Sequence, residues 1–203
     1  MSTTTGYCSL PAVRYTVGIK SDTHDADIDR AIEAASRAID NLTGRYFYQD
    51  TAVQTRYYQA DPADLGWLPV GDISTTTGLV VKTDDDVDGT FENTWTENDL
   101  TGSYGYRLQP LNAAGAPVAP WTALEAISGI WPATARTVEV TAKFGWENVP
   151  APVEQAALLQ TIRLWKRKDA PFGIMGTPET GVVQIARLDP DVAALVRPYR
   201  RMS

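Results

Sequence analysis

The sequence predicts an α+β protein: a small helical bundle core of two long and two short helices, with a large β-rich insertion between the long helices. Three observations predict it. Apolar residues recur at spacings of three and four near both ends of the chain. The middle instead alternates in short runs broken by Gly and Pro. With 43% hydrophobic and 21% charged residues, the chain has the means to bury a core. The expected division is a helical core with a C-terminal arm from 1–45 and 147–203, and a β-rich insertion from 46–146.

Residues 1–8 read as a flexible lead. Ser9 offers an N-cap hydroxyl and Pro11 fits a first helical turn, so a short helix runs from Leu10 to about Val17 and stops near Gly18. Asp22, Thr23 and Asp25 supply capping and negative charge for the next start. From His24 to Thr43, Ile28, Ile32, Ala35, Ile39 and Leu42 make one apolar stripe. Glu33 and Arg37 form a favourable i,i+4 pair, and Gly44 serves as the C-cap.

Strands are expected around Phe47, Val53, Thr55 and Tyr57, at Leu79–Val81, at Thr94–Thr96, at Tyr104–Leu108 and at Val138–Phe144. Pro152 and Glu154 then open a second long helix, with Val153, Ala157, Leu158, Ile162 and Trp165 on its apolar side. Lys166, Arg167 and Lys168 close it, Pro171 and Gly173 end it, and 171–187 read as a mobile loop or arm. Asp189 and Pro190 start a last short helix with Val192, Leu195, Val196 and Tyr199 on one side, limited by Pro198.

The charge is unevenly placed. The net charge is −7, and seven acidic residues with no basic one lie between Asp84 and Asp99. The remainder balances at 18 acidic against 18 basic. Such a chain is a poor candidate for gripping phosphates, although an acidic wall lets DNA slide past without sticking. One cysteine, Cys8, excludes an internal disulfide. Neither a signal peptide nor a membrane-length apolar run is visible, so a soluble protein, cytosolic where it is made and with no membrane partner, is expected.

Several residues invite a chemical reading. Asp84, Asp86, Asp88 and Glu92, with Gly89 among them, place oxygen ligands at every second position, as a calcium loop requires. The pattern fails as an EF-hand because Trp95 stands at the twelfth position; a solvated Asp-Gly hairpin turn is the plainer alternative. His24, the sole histidine, reads as an exposed helix-terminus residue, since it has no partner for a metal or triad site. Cys8 has no local general base to make it a nucleophile. Trp67, Trp95, Trp121 and Trp131 could stack against sugar or pack as core and interface. The C-terminal group Leu195, Arg197, Tyr199, Arg200 and Arg201 reads as a partner-docking segment that orders on assembly, so deleting 188–203 is expected to spare the fold. GxSxG, P-loop, HExxH and Cys/His metal patterns are all missing from the sequence, and no catalytic residue is expected.

The run Tyr7-Cys8-Ser9-Leu10 with Val13 and Gly18-Ile19, the helix Ala31–Asp40, and Thr43-Gly44-Arg45-Tyr46-Phe47 form an ordered phrase. Phe144-Gly145-Trp146, Val149-Pro150, Val153 and Ala156-Ala157 form its return. Together they resemble the phage head-tail connector family, the head-to-tail adaptors. Leu68-Pro69-Val70, Asp72-Ile73, Thr77–Val81, Trp95, Leu108-Gln109-Pro110 and Leu111-Asn112 are similar to the β insertion of its actinobacteriophage members. The matching pieces cover 7–47, 67–112 and 143–168; the segment 171–203 is less typical. The resemblance implies a structural virion protein of the neck, a ring of twelve copies beneath the portal. It would contact the portal protein above and a stopper or tail protein below, with DNA passing through the channel without sequence-specific binding. Another neck or tail component, such as a tail terminator, and a carbohydrate-binding β module are the rival readings.

Overall fold

The computed structural model describes residues 5–115, 118–167, 174–175, 183–184 and 189–201. Among the described residues it is a mixed α+β structure with four α-helices, a closed four-stranded barrel and further strands. The chain divides into two compact units, Met1–Phe47 with Val149–Ser203, and Tyr48–Asn148. No described helix is long and apolar enough to cross a membrane.

The first unit is built on helices α1 (Leu10–Val17), α2 (Asp25–Thr43), α3 (Ala151–Arg167) and α4 (Pro190–Val196). Ser9 caps α1 by accepting from the Ala12 amide at 3.3 Å, and Gly18 ends it in the left-handed region at φ 80°. Helix α2 starts one residue later than the sequence suggests. Its N-cap, His24, makes no side-chain cap bond, and Asp25 and Asp27 in the first turn favour the positive end of the helix dipole instead. Gly44 closes α2 at φ 67°.

Helix α2 packs on α3, α1 touches both, and α4 lies on α3. The 3- and 4-residue spacing of the α2 stripe places Ile28, Ile32, Ala35 and Ile39 inside. Val13, Val153, Ala156, Ala157 and Trp165 are buried in the same unit, whereas Leu158 and Ile162 are half-buried. The apolar side of α3 is thus turned slightly from the expected one, toward Ala156, Gln160 and Thr161.

The C-terminal segment is docked on its own chain. Val192 and Val196 are wholly buried, Asp189 pairs with Arg163 at 3.3 Å, and the Arg201 amide donates to the Thr43 carbonyl at 2.8 Å. This departs from the expectation that the segment orders only on assembly. Two valines at i and i+4 suffice to bury one face of a seven-residue helix when a Pro-started, Asp-capped end pre-organises it. The expected mobile arm and Lys168 lie outside the described residues, except that Ile174–Met175 (β7) pairs antiparallel with Val183–Gln184 (β8).

Tyr7 ties the lead of the chain to this unit. Its amide donates to Ser36 Oγ at 3.0 Å, and its hydroxyl donates to the Asp40 carboxylate while accepting from the Phe47 amide at 2.8 Å. The ring meets Phe47 edge-on at 5.6 Å, and Phe47 in turn meets Tyr199 at 5.8 Å. Burial, and then the bond to Asp40, push the Tyr7 phenol well above its ordinary value. Burial likewise raises the Tyr106 phenol in the other unit, and the Glu97 charge adds to it. A raised phenol pKa means that the unfolded chain ionises first. Stability is therefore complete below about pH 10 and falls as pH rises beyond it, by roughly 1.4 kcal/mol per pH unit per group. Denaturant titrations from pH 8 to 11.5 are expected to show that fall. Tyr7→Phe should flatten it and cost about 1–3 kcal/mol at pH 8, because the Phe47 amide loses its acceptor. An unchanged alkaline slope in the variant would remove Tyr7 from this role.

The second unit consists of β1 (Gln54–Tyr58), β2 (Trp67–Thr83), β3 (Asn93–Glu97), β4 (Gly105–Gln109), β5 (Trp121–Ser128) and β6 (Val138–Phe144). The order is β1-β6-β2-β3-β4-β5, and β2 also pairs with β5, which closes β2, β3, β4 and β5 into a barrel. Strand β2 can serve three neighbours because it is long and bent: its register shifts between Pro69 and Ile73, and again between Ile73, Thr75 and Val80. Gly78 sits at φ 80° in this bend, where an added Cβ would come within 2.9 Å of Val53. All pairs are antiparallel except β3 with β4. Trp131 lies fully buried, stacked on Trp95 at 3.7 Å between centroids, and Trp95 donates its indole N–H to Thr83 Oγ1 at 3.1 Å.

Candidate functional site

The acidic motif falls on residues 84–92, the loop joining β2 to β3, whose last pair is Thr83 with Asn93. It is therefore a nine-residue loop, longer than a tight Asp-Gly turn. Asp84 organises it. Its buried carboxylate accepts from the amides of Val87 at 2.7 Å, Asp88 at 3.2 Å and Gly89 at 2.8 Å. Three convergent N–H groups satisfy most of the lone pairs of a buried anion and fold the chain around it. The turn holds Val87 at φ 64° and leaves it exposed between Asp86 and Asp88. Asp85 is anchored outside the ring of amides by Asn93 at 2.9 Å and by the Tyr104 hydroxyl at 3.0 Å.

The four residues picked from the sequence do come together. One carboxylate oxygen each from Asp84, Asp86, Asp88 and Glu92 lies within 4.8 Å of the others. The Asp88 charge is the first cause that raises the Asp86 carboxyl above its ordinary value. All donors are hard oxygens, which fits calcium, and three of the four are exposed. Asp84 fits least well, since it already serves the backbone.

Beside the loop lies a cleft of about 300 Å³ lined by Tyr57, Val87, Phe91, Arg136 and their neighbours. The Arg136 guanidinium already stands 4.8 Å over the Tyr57 ring, so a cation of the protein itself fills the aromatic face.

The C-terminal group is placed differently from residue to residue. Leu195 and Tyr199 are half-buried, whereas Arg197, Arg200 and Arg201 are exposed. A second groove, of about 280 Å³, is lined by Leu42, Ala193, Ala194, Arg197 and Arg200. The arginines of this groove are legible in the sequence and its floor is not, because Leu42 and Ala193 are brought together only by the docking of α4.

The remaining candidates resolve as packing. His24 is half-buried, its ring 5.3 Å from that of Trp165, so it is not the exposed terminus residue expected from sequence. Cys8 is buried against Thr161 Oγ1 at 3.6 Å; burial pushes its thiol up, which disfavours the nucleophilic thiolate. Of the four tryptophans, Trp95 and Trp131 stack in the interior, Trp121 is half-buried and Trp67 is 40% exposed. A sugar platform needs an accessible ring face, and the stacked pair offers none.

No protein-family model matches the chain, and no curated protein matches it. Solved structures do. The fold is similar to that of a chain in the neck of an empty gene transfer agent particle computed with C6 symmetry. That likeness has a TM-score of 0.56 and 16% identity, over 99% of this chain and 94% of that one. It is also similar to a chain in the neck of the native particle computed with C12 symmetry, with a TM-score of 0.51 and 19% identity over 98% and 94%. A third match, to a chain of the native particle's virion, has a TM-score of 0.52 and 20% identity over 99% and 94%. What is shared is the α+β fold along nearly the whole length of the chain.

Proposed function

We propose that the chain is a structural protein of a virion neck: a head-to-tail adaptor that forms a ring of twelve copies beneath the portal. One observation carries the reading. Both units of this chain, helices and barrel together, align with chains of a particle neck over 98–99% of the sequence. A shared barrel alone would say little, since one fold hosts many functions. A helical bundle core from 1–45 and 147–203, with a β insertion at 46–146, is the architecture we assign to it. The C12 symmetry of the native neck favours twelve copies. On this reading the portal protein and a stopper or tail protein are the neighbours, and DNA passes through the channel. A net charge of −7 suits a wall that does not hold phosphates. The protein is made in the host cytoplasm and ends in the virion.

The test is genetic. Particles assembled without this chain are expected to yield filled heads that lack tails, and supplying the wild-type chain should restore joining. Tailed, infectious particles in its absence would overturn the adaptor reading.

The Asp84–Glu92 loop is proposed to take Ca²⁺ at the weak end of the range for such loops, with a Kd of about 0.1–1 mM, because its ligands are few and exposed. Calorimetric titration should show saturable heat that disappears in Asp86→Asn/Asp88→Asn. A flat titration with an unchanged melting temperature would discard the cation.

A further inference from the structure

The two units carry opposite formal charge. Residues 48–148 hold 14 acidic and 5 basic side chains, or −9, whereas 1–47 with 149–203 hold 11 acidic and 13 basic, or +2. Identical copies so divided attract one another when the acidic unit of one faces the basic unit of the next. Such a contact uses two different surfaces, and contacts of that kind generate rings when the rotation closes.

Two surface features match in more than net sign. The groove of the helical unit has an apolar floor, Leu42, Ala193 and Ala194, flanked by Arg197 and Arg200. Both guanidiniums are exposed and make no ion pair among the described residues. The β2–β3 loop has the reverse pattern: Val87, 54% exposed, is flanked by the exposed Asp86 and Asp88. Asp84 holds that tip in shape through its three amide bonds, so little ordering cost remains to be met on docking. Exposed carboxylates against exposed guanidiniums can form bidentate pairs that a lysine would not match.

We infer that the Asp84–Glu92 loop of one copy docks in the Leu42/Ala193/Ala194/Arg197/Arg200 groove of a second copy. Val87 lies on the apolar floor, and Asp86 and Asp88 face the two arginines. This rests on the reading of the chain as a ring component. It also makes calcium a competitor, because the same carboxylates serve both.

Charge exchange in the full-length chain tests it, with the copies incorporated per particle as the readout. Arg197→Glu/Arg200→Glu and Asp86→Lys/Asp88→Lys are each expected to lower incorporation by roughly tenfold or more, since like charges then face each other. The four substitutions in one chain, or an equal mixture of the two double variants, should restore it. Each variant's thermal melt, kept near wild type, separates this from misfolding. Double variants that incorporate as wild type, or a defect that neither the fourfold variant nor the mixture repairs, would overturn the contact. Wild-type chain missing from the particle neck would instead overturn the ring reading itself.

Discussion

Replacing Trp131 with alanine is expected to cost about 3–5 kcal/mol, a large fraction of the roughly 5–15 kcal/mol that holds an ordinary domain folded. Trp131 is the largest wholly buried side chain among the described residues, and it stacks on Trp95 at 3.7 Å with Tyr106 at 6.5 Å. Trp95 belongs to β3 and Tyr106 to β4, so the indole fills the barrel where its single parallel pair lies. Removing it leaves a cavity that the closed strands cannot collapse into, which adds to the lost transfer free energy. Trp131→Phe should cost much less. It keeps a ring against Trp95, and it removes a buried indole N–H that has no hydrogen-bond partner among the described residues. Denaturant unfolding followed by tryptophan fluorescence reads both variants. Similar losses for alanine and phenylalanine would show that stacking is not what closes the barrel.

Val196→Asp is the second large effect, at about 4 kcal/mol or more. Val196 is wholly buried with Val192, and α4 reaches α3 through that face. A carboxylate buried on that face carries a desolvation cost, which α4 relieves by leaving α3. Arg163 would then lose its contact to Asp189, and Tyr199 its contact to Phe47. Truncation before residue 189 is expected to destabilise the helical unit in the same way. Hydrogen exchange in α3 and around Phe47 should rise in both variants. Unchanged protection would return the C-terminal segment to the dispensable role that composition suggests.

Much of the helical part is legible in the sequence because local signals and packing agree there. Ser9, Gly18 and Gly44 mark ends, and the isoleucine stripe of α2 marks the buried face. Strand β6 is equally plain, with strict alternation of buried and half-buried residues from Val138 to Phe144. The first half of β2 is not: Pro69, Gly71 and nearby polar residues read as turn signals, yet pairing with β5 and the bend of a barrel corner accommodate them. Strand β5 is hidden too, because Ala123, Leu124, Glu125 and Ala126 are good helix formers and only closure of the barrel makes them extended. Of the candidate site, the convergence of the Asp84, Asp86, Asp88 and Glu92 carboxylates is legible in their spacing. The role of Asp84 as the anion at the centre of three amides is not, since it depends on a positive φ at Val87 that no residue type announces.

The proposed ring is best tested by cryo-electron microscopy of intact particles carrying this chain. The account predicts twelve copies between portal and tail, their helical units and barrels in repeating density around the channel, with the β2–β3 loop of each seated beside the Arg197–Arg200 edge of its neighbour. A neck without this chain, or the chain found instead at the tail tip or on fibres, would contradict it.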